Sequence, residues 1–156
     1  MRYLYVTLLC LLATASLKAQ SDTAAVKHAV DKLFTAMHSS DSTTLKECFS
    51  PNAVFQTISN ENGKTEVKNV SVARFAEIIG KTPKGDVDER ITYGAIHIDA
   101  ALASVWTPYR YYYQGQFHHC GVNVFQLVKL NGKWKIQYVI DTRRKDACVE
   151  EEKAAQ

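Results

Sequence analysis

The sequence predicts an α+β domain in which helices pack on a strongly curved antiparallel sheet. Three long runs of alternating apolar and polar residues lie at its centre: Ala101–Tyr113, Phe117–Leu130 and Lys133–Arg144. Gln114-Gly115 separates the first two and Asn131-Gly132 the last two. An Asn-Gly pair between such runs marks a hairpin, because both central residues of a type I′ turn need positive φ. Upstream, apolar residues recur with helical spacing, so the helices are segregated from the long strands, which is the α+β order.

The chain opens MRYLYVTLLCLLATASLKAQ. Arg2, an apolar run from Tyr3 to Leu12 and small residues towards Ala19 form a secretory signal peptide, with cleavage after Ala19. The run is too short to span a membrane, which takes roughly 20 residues. Residues 20–156 are then a single secreted or periplasmic domain, detached from the membrane and long enough for a core. The formal charge is +3 and the Lys and Arg residues are dispersed, which argues against a nucleic-acid partner. Cys10 leaves with the signal, so Cys48, Cys120 and Cys148 remain. Three cysteines in an oxidising compartment suggest one disulfide and one buried thiol. Cys48 sits beside Leu45 and Phe49 and reads as core. Cys120 starts a strand and Cys148 follows the strand paired with it, so Cys120–Cys148 is the expected bond.

Ser21-Asp22-Thr23 caps a first helix running to about His38, with Val26, Ala29, Val30, Leu33, Phe34 and Met37 on one stripe. Ser39-Ser40-Asp41-Ser42 breaks it and caps a short second helix that buries Leu45, Cys48 and Phe49 and stops at Pro51. Ala53–Ser59 and Lys64–Val70 form a hairpin around Asn60-Glu61-Asn62-Gly63. Ser71 caps a third helix, VARFAEII, with Gly80 as its stop. Glu89–Ile98 is one strand leading into the meander.

This order resembles the nuclear-transport-factor-2-like superfamily, a cystatin-like cone in which helices close a bent sheet around a pocket. The resemblance spans residues 20–156 and is most specific in SSDSTTLKECFSPNAVF and NGKWKIQYVIDTRR. The stretch ASVWTPYRYYYQGQFHHCGVNVFQLVK further resembles secreted bacterial members grouped as lumazine-binding-like or ketosteroid-isomerase-like. The superfamily includes isomerases, dehydratases, cyclases and transport adaptors, so the resemblance implies a fold and a pocket without fixing an activity.

Pairing Leu130 with Lys133 and Tyr113 with Gln116 sorts the meander into two faces. One face collects Trp106, Arg110, His119, Asn123, Tyr138, Thr142 and Arg144 beyond an apolar floor of Phe125, Leu127, Trp134 and Ile136. A face that turns from apolar to convergent polar groups reads as a ligand pocket. Trp106 and Tyr138 would form its wall, while Arg110, His119 and Asn123 would orient polar atoms. Two arginines with no carboxylate beside them suit an anionic or aromatic ligand.

The opposite face carries Tyr109, Tyr111, Tyr113, Val122 and Val124, which suits a homodimer interface. Asp141 also falls there, and Asp86, Asp88, Glu89 and Asp99 read as solvated. No carboxylate base therefore faces inward, and the enzymatic alternative, of isomerase, dehydratase or cyclase type, uses His119 as its acid–base group. A non-catalytic dimeric interaction domain is the other alternative. His118 and His119 should point to opposite sides of their strand, so the His118-His119-Cys120 run is not read as a metal site, and the sequence implies no cofactor. A bulge near Pro108 would exchange the faces along part of one strand.

Overall fold

The computed structural model describes residues 20, 22–61 and 63–149. The signal-peptide expectation for residues 1–19 lies outside the described residues. Helix α1 covers residues 22–38 and buries Val26, Val30, Leu33 and Met37. Helix α2, Ser42–Cys48, is capped by Asp41, whose side chain accepts from the Thr44 amide at 2.9 Å. Helix α3, Val72–Lys81, is capped by Ser71. Gly80 lies inside α3 rather than ending it, and a Cβ there would stand 2.9 Å from Ser42 Cβ. The glycine lets α3 pack closely on α2.

The strands are β1 (Phe49–Glu61), β2 (Lys64–Val70), β3 (Val87–Ile91), β4 (Ile96–Asp99), β5 (Leu102–Tyr113), β6 (Gln116–Leu130) and β7 (Lys133–Thr142). Their order is β2-β1-β7-β6-β5-β3, with β4 also on β5. Every pairing is antiparallel except β1 with β7, which is parallel, so the curled sheet is mixed. Pro51 falls within β1 rather than stopping a helix. The single strand expected over Glu89–Ile98 is interrupted at residues 92–95, where Gly94 backs onto Trp106; a Cβ would lie 3.0 Å from the Trp106 ring. The core lies between the helices and the inner sheet face, where Val105, Phe125, Leu127 and Ile136 are at most 1% exposed.

The two turns pair as the sequence predicts, Tyr113 with Gln116 and Leu130 with Lys133. Beyond each turn the register slips by one residue. On β5–β6, Tyr112 pairs with Phe117 but Tyr111 pairs with His119, leaving His118 as the extra residue. On β6–β7, Leu127 pairs with Ile136 but Gln126 pairs with Tyr138, leaving Gln137 extra. Pro108, by contrast, pairs in register with Val122. Because side chains alternate with a period of two, each bulge exchanges inside and outside beyond it. Tyr109 and Tyr111 therefore share the concave face with Asn123 and Phe125, and Val139 and Asp141 join them.

Candidate functional site

The cone encloses a cavity of about 370 Å³. Helix α1 contributes Leu33, Phe34 and Met37, α3 contributes Phe75 and Ile79, and β1 contributes Phe49 and Phe55. These pack edge to face, Phe34 on Phe125 at 6.1 Å between centroids and Phe55 on Phe75 at 5.4 Å. The sheet side is polar, with Glu89, Tyr109, Tyr111, Tyr113, His118, His119, Asn123, Asp141 and Arg143.

These polar groups form two linked clusters. In one, Asn123 Nδ2 donates to Glu89 Oε1 at 2.9 Å. In the other, Arg143 Nε donates to Asp141 Oδ2 at 2.7 Å, and the Tyr109 hydroxyl donates to the Thr142 carbonyl at 2.9 Å and lies 3.3 Å from the same Oδ2. Asp141 is 4% exposed and its Oδ1 is buried without a partner among the described residues, whereas the Arg143 side chain is 49% exposed. Gly121 makes the second cluster possible. A Cβ there would come within 1.8 Å of the Thr142 carbonyl oxygen and 2.9 Å of the Tyr109 ring.

Burial pushes the Glu89 carboxyl up to about 7; the Asn123 bond and the Arg143 charge oppose the shift, and nearby Asp141 adds to it. Burial, helped by the Arg143 and His118 charges, holds His119 down at about 4, so its imidazole is neutral at pH 7. Tyr109 is raised by burial and by Asp141 and Glu89, and Tyr111 by burial and Glu89. Burial works against the Arg143 cation, but the Asp141 bond and charge prevail and hold it up.

Of the five residues expected to bind ligand, His119 and Asn123 line the cavity. Trp106, Arg110 and Tyr138 do not: the bulges turn them outward. Trp106 is 47% exposed in a groove on the convex face with Ile58, Val122, Val124 and Ile140. Arg110 pairs across the sheet with Arg90 and Cys120, and the Tyr138 hydroxyl donates to Gln56 Oε1 at 2.8 Å. The expected dimer face is likewise divided. Tyr109, Tyr111 and Tyr113 line the cavity, while Val122 and Val124 lie in the outer groove.

Asp141 and Arg143 are cavity residues that the unbulged register hides, and Glu89, read from the sequence as a solvated strand-end carboxylate, is a third. The visible signal for the second bulge is the apolar spacing Trp134, Ile136, Val139, which gains a residue at Gln137. The first bulge brings both His118 and His119 to the cavity mouth, with their Nδ1 atoms 2.8 Å apart, although neighbours on an unbulged strand would diverge.

The profile of the family described as "Putative lumazine-binding" matches residues 21–138. The chain belongs to that family. Among proteins with curated descriptions, none matches the sequence. Solved structures similar to this chain share its nuclear-transport-factor-2-like, cystatin-like fold. An NTF2-like protein of unknown function from Shewanella baltica OS155 superposes with a TM-score of 0.65 at 17% identity, covering 81% of this chain and 96% of that one. An NTF2-like protein of unknown function from Silicibacter pomeroyi DSS-3 gives 0.64 at 16% identity, with 81% and 98% covered. A domain of unknown function with a cystatin-like fold from Nostoc punctiforme PCC 73102 gives 0.65 at 16% identity, with 81% and 80% covered. At such identities the likeness shows the fold alone.

No group of three or more metal-ligating His, Cys, Asp or Glu side chains gathers among the described residues, and no described helix is long and apolar enough to cross a membrane. On the convex side Cys120 and Cys148 are joined, with S–S 2.03 Å, and the Cys120–Arg144 bridge brings the segment after β7 back against β6. Cys48 is a buried free thiol whose pKa is pushed up by burial, which disfavours the thiolate.

Proposed function

We propose that this domain binds a flat, aromatic small molecule inside its cone. The observation that carries the reading is the cavity itself: about 370 Å³, with phenylalanine and tyrosine rings on its walls and hydrogen-bonding groups gathered on its sheet side. The family description adds a ring class to test, since lumazine is a flat bicyclic heteroaromatic. The anionic half of the sequence expectation loses its support, because Arg110 lies outside the cavity and Arg143 already faces Asp141. Thermal melting of the protein with lumazine and with naphthalene derivatives tests the reading. A ligand at about 100 times its dissociation constant adds roughly 2.7 kcal/mol, a shift of several degrees. The shift should shrink in Tyr111→Leu and persist in Trp106→Ala. An unshifted melt across the panel would count against a ligand-binding cone.

A specific observation favours a second reading, acid–base catalysis of isomerase or dehydratase type. Its base would be Glu89 rather than His119. A carboxyl at about 7 on the wall of the cavity is poised to exchange a proton near neutral pH, whereas His119 at about 4 stays neutral there. Turnover lost in Glu89→Gln while ligand affinity remains would support it.

Export to an oxidising compartment is part of the same proposal and is supported by the Cys120–Cys148 bond. The homodimer, if re-drawn on the convex face, keeps Val122 and Val124 and replaces the tyrosines with Trp106 and Ile140. Sedimentation of wild type against Trp106→Glu tests it, with a wild-type monomer overturning it.

A further inference from the structure

We propose that the ligand of the cone is an organic cation, an aromatic amine whose N–H donor pairs with Glu89 beside the negative charge of Asp141. This rests on the small-molecule reading above and adds the ligand's charge. Asp141, only 4% exposed, lines the cavity, and its Oδ1 is buried with no partner among the described residues. That oxygen is closed even to water and takes no ligand bond, so the buried carboxylate lends the cavity its negative charge rather than an acceptor. Glu89 is the carboxyl that a ligand meets: it lines the cavity, its hydrogen-bond partner is the neutral Asn123 amide, and no salt bridge forms to it among the described residues.

The charge balance points the same way. Arg143 bonds Asp141 Oδ2 from the half-exposed mouth, so it offsets one carboxylate and leaves the other unbalanced. On β6, His119 is neutral at pH 7 and His118 is exposed at the mouth with its Nδ1 on that of His119, while α1, α3 and β1 contribute only apolar side chains to the cavity. The Tyr109 and Tyr111 hydroxyls on β5 are pushed up and remain uncharged. An anionic ligand would therefore meet two carboxylates against one guanidinium. An ammonium would meet Glu89 directly, with Tyr109, Tyr111 and Tyr113 lining the same cavity as partners for cation–π contact.

One consequence is thermodynamic. The Glu89 carboxyl, at about 7 in the free protein, is half protonated at pH 7. An ammonium beside it favours the carboxylate, so binding releases the proton. Affinity for the amine must then rise with pH through neutrality, by up to roughly thirtyfold between pH 5.5 and 8.

Three probes that share one ring decide the matter: 2-naphthylmethylamine, 2-naphthalenemethanol and 2-naphthoate, titrated calorimetrically into the disulfide-intact protein. The amine should bind about tenfold tighter than the alcohol, with the carboxylate weakest. Glu89→Gln should cost the amine about tenfold, abolish its pH dependence and leave the alcohol within about twofold. Asp141→Asn should weaken the amine likewise. Should its lost bonds to Arg143 and Tyr109 unfold it, Glu89→Gln carries the test alone, because that residue makes a single neutral hydrogen bond. Binding of the alcohol or carboxylate as tight as the amine's overturns the cation while leaving the cone as a ligand site. An amine affinity indifferent to Glu89→Gln also overturns it. If none of the three binds, both readings fall.

Discussion

The two faces of β5, β6 and β7 are built from the same alternating sequence and do different work. The inner face carries Tyr109, Tyr111, Asn123, Asp141 and, just beyond β7, Arg143 around a cavity. The outer face carries Trp106, Arg110 and Tyr138, together with Cys120 and the disulfide that fastens the segment after β7. Only two extra residues, His118 and Gln137, decide which set is inside. Composition alone would make either face a plausible binding surface, since both mix aromatic and charged groups. What separates them is enclosure. The inner groups are desolvated, so their ionisation is displaced and their unpaired atoms matter, whereas Trp106 on the outer face stays 47% exposed.

The sharpest way to break this comparison is Gly121→Ala. The added methyl would collide with the Thr142 carbonyl and the Tyr109 ring, where β7 lies against β6. A cost above about 3 kcal/mol in urea unfolding is expected, since backbone cannot yield as a side-chain end can. A cost near zero would mean that β7 does not approach β6 in this way. On the outer face, Cys148→Ser opens a link across 28 residues, and chain entropy predicts a loss of about 3 kcal/mol without loss of ligand binding.

Ionisation separates the inner groups from one another. Folded Glu89 holds its proton up to about 7 rather than the ordinary 4.5, so the folded state binds more protons in that window and stability falls as pH rises through it. Folded His119 sheds its proton down to about 4 from 6.5, so the folded state binds fewer there and stability rises with pH. The two slopes oppose one another between pH 4.5 and 6.5. Glu89→Gln should unmask a rising profile, and His119→Asn a falling one, each by about 1–3 kcal/mol after allowing for partial exposure. Stability measured by urea midpoint from pH 4 to 8 checks this, and parallel profiles for wild type and both variants would contradict the enclosure of these groups. The smallest effect belongs outside: Tyr138→Phe loses its bond to Gln56 and should cost no more than about 1 kcal/mol, with ligand affinity unchanged.

The fold was legible in the sequence because its signals are local. Helical spacing between Val26 and Met37, the Ser71 cap and the Asn131-Gly132 turn each act over a few residues, and the structure places the elements there. The turn pairings were legible for the same reason. The site was only partly so. His119 and Asn123 were found because they precede neither bulge in the wrong sense, while Trp106, Arg110 and Tyr138 were misplaced by one-residue slips that propagate along whole strands. Asp141 shows the consequence most clearly. Read without the bulge at Gln137 it faces away from the pocket, and the cone then lacks any inward carboxylate from its three long strands. Glu89 was hidden differently: it lies near the start of a strand, and only the closure of the cone over β3 desolvates it. Gly94, Gly80 and Gly121 were similarly silent, since close approach by a distant segment leaves no local mark.

The most direct test of this account is a two-dimensional NMR titration of the disulfide-intact protein with 2-naphthylmethylamine, following side-chain signals on both faces of one sheet. The Asn123 amide and the His119 ring should shift with saturation, while the Trp106 indole N–H stays in place. Saturable shifts at Trp106 with Asn123 and His119 unmoved would put the binding surface on the convex face and contradict the inward assignment that the two bulges create.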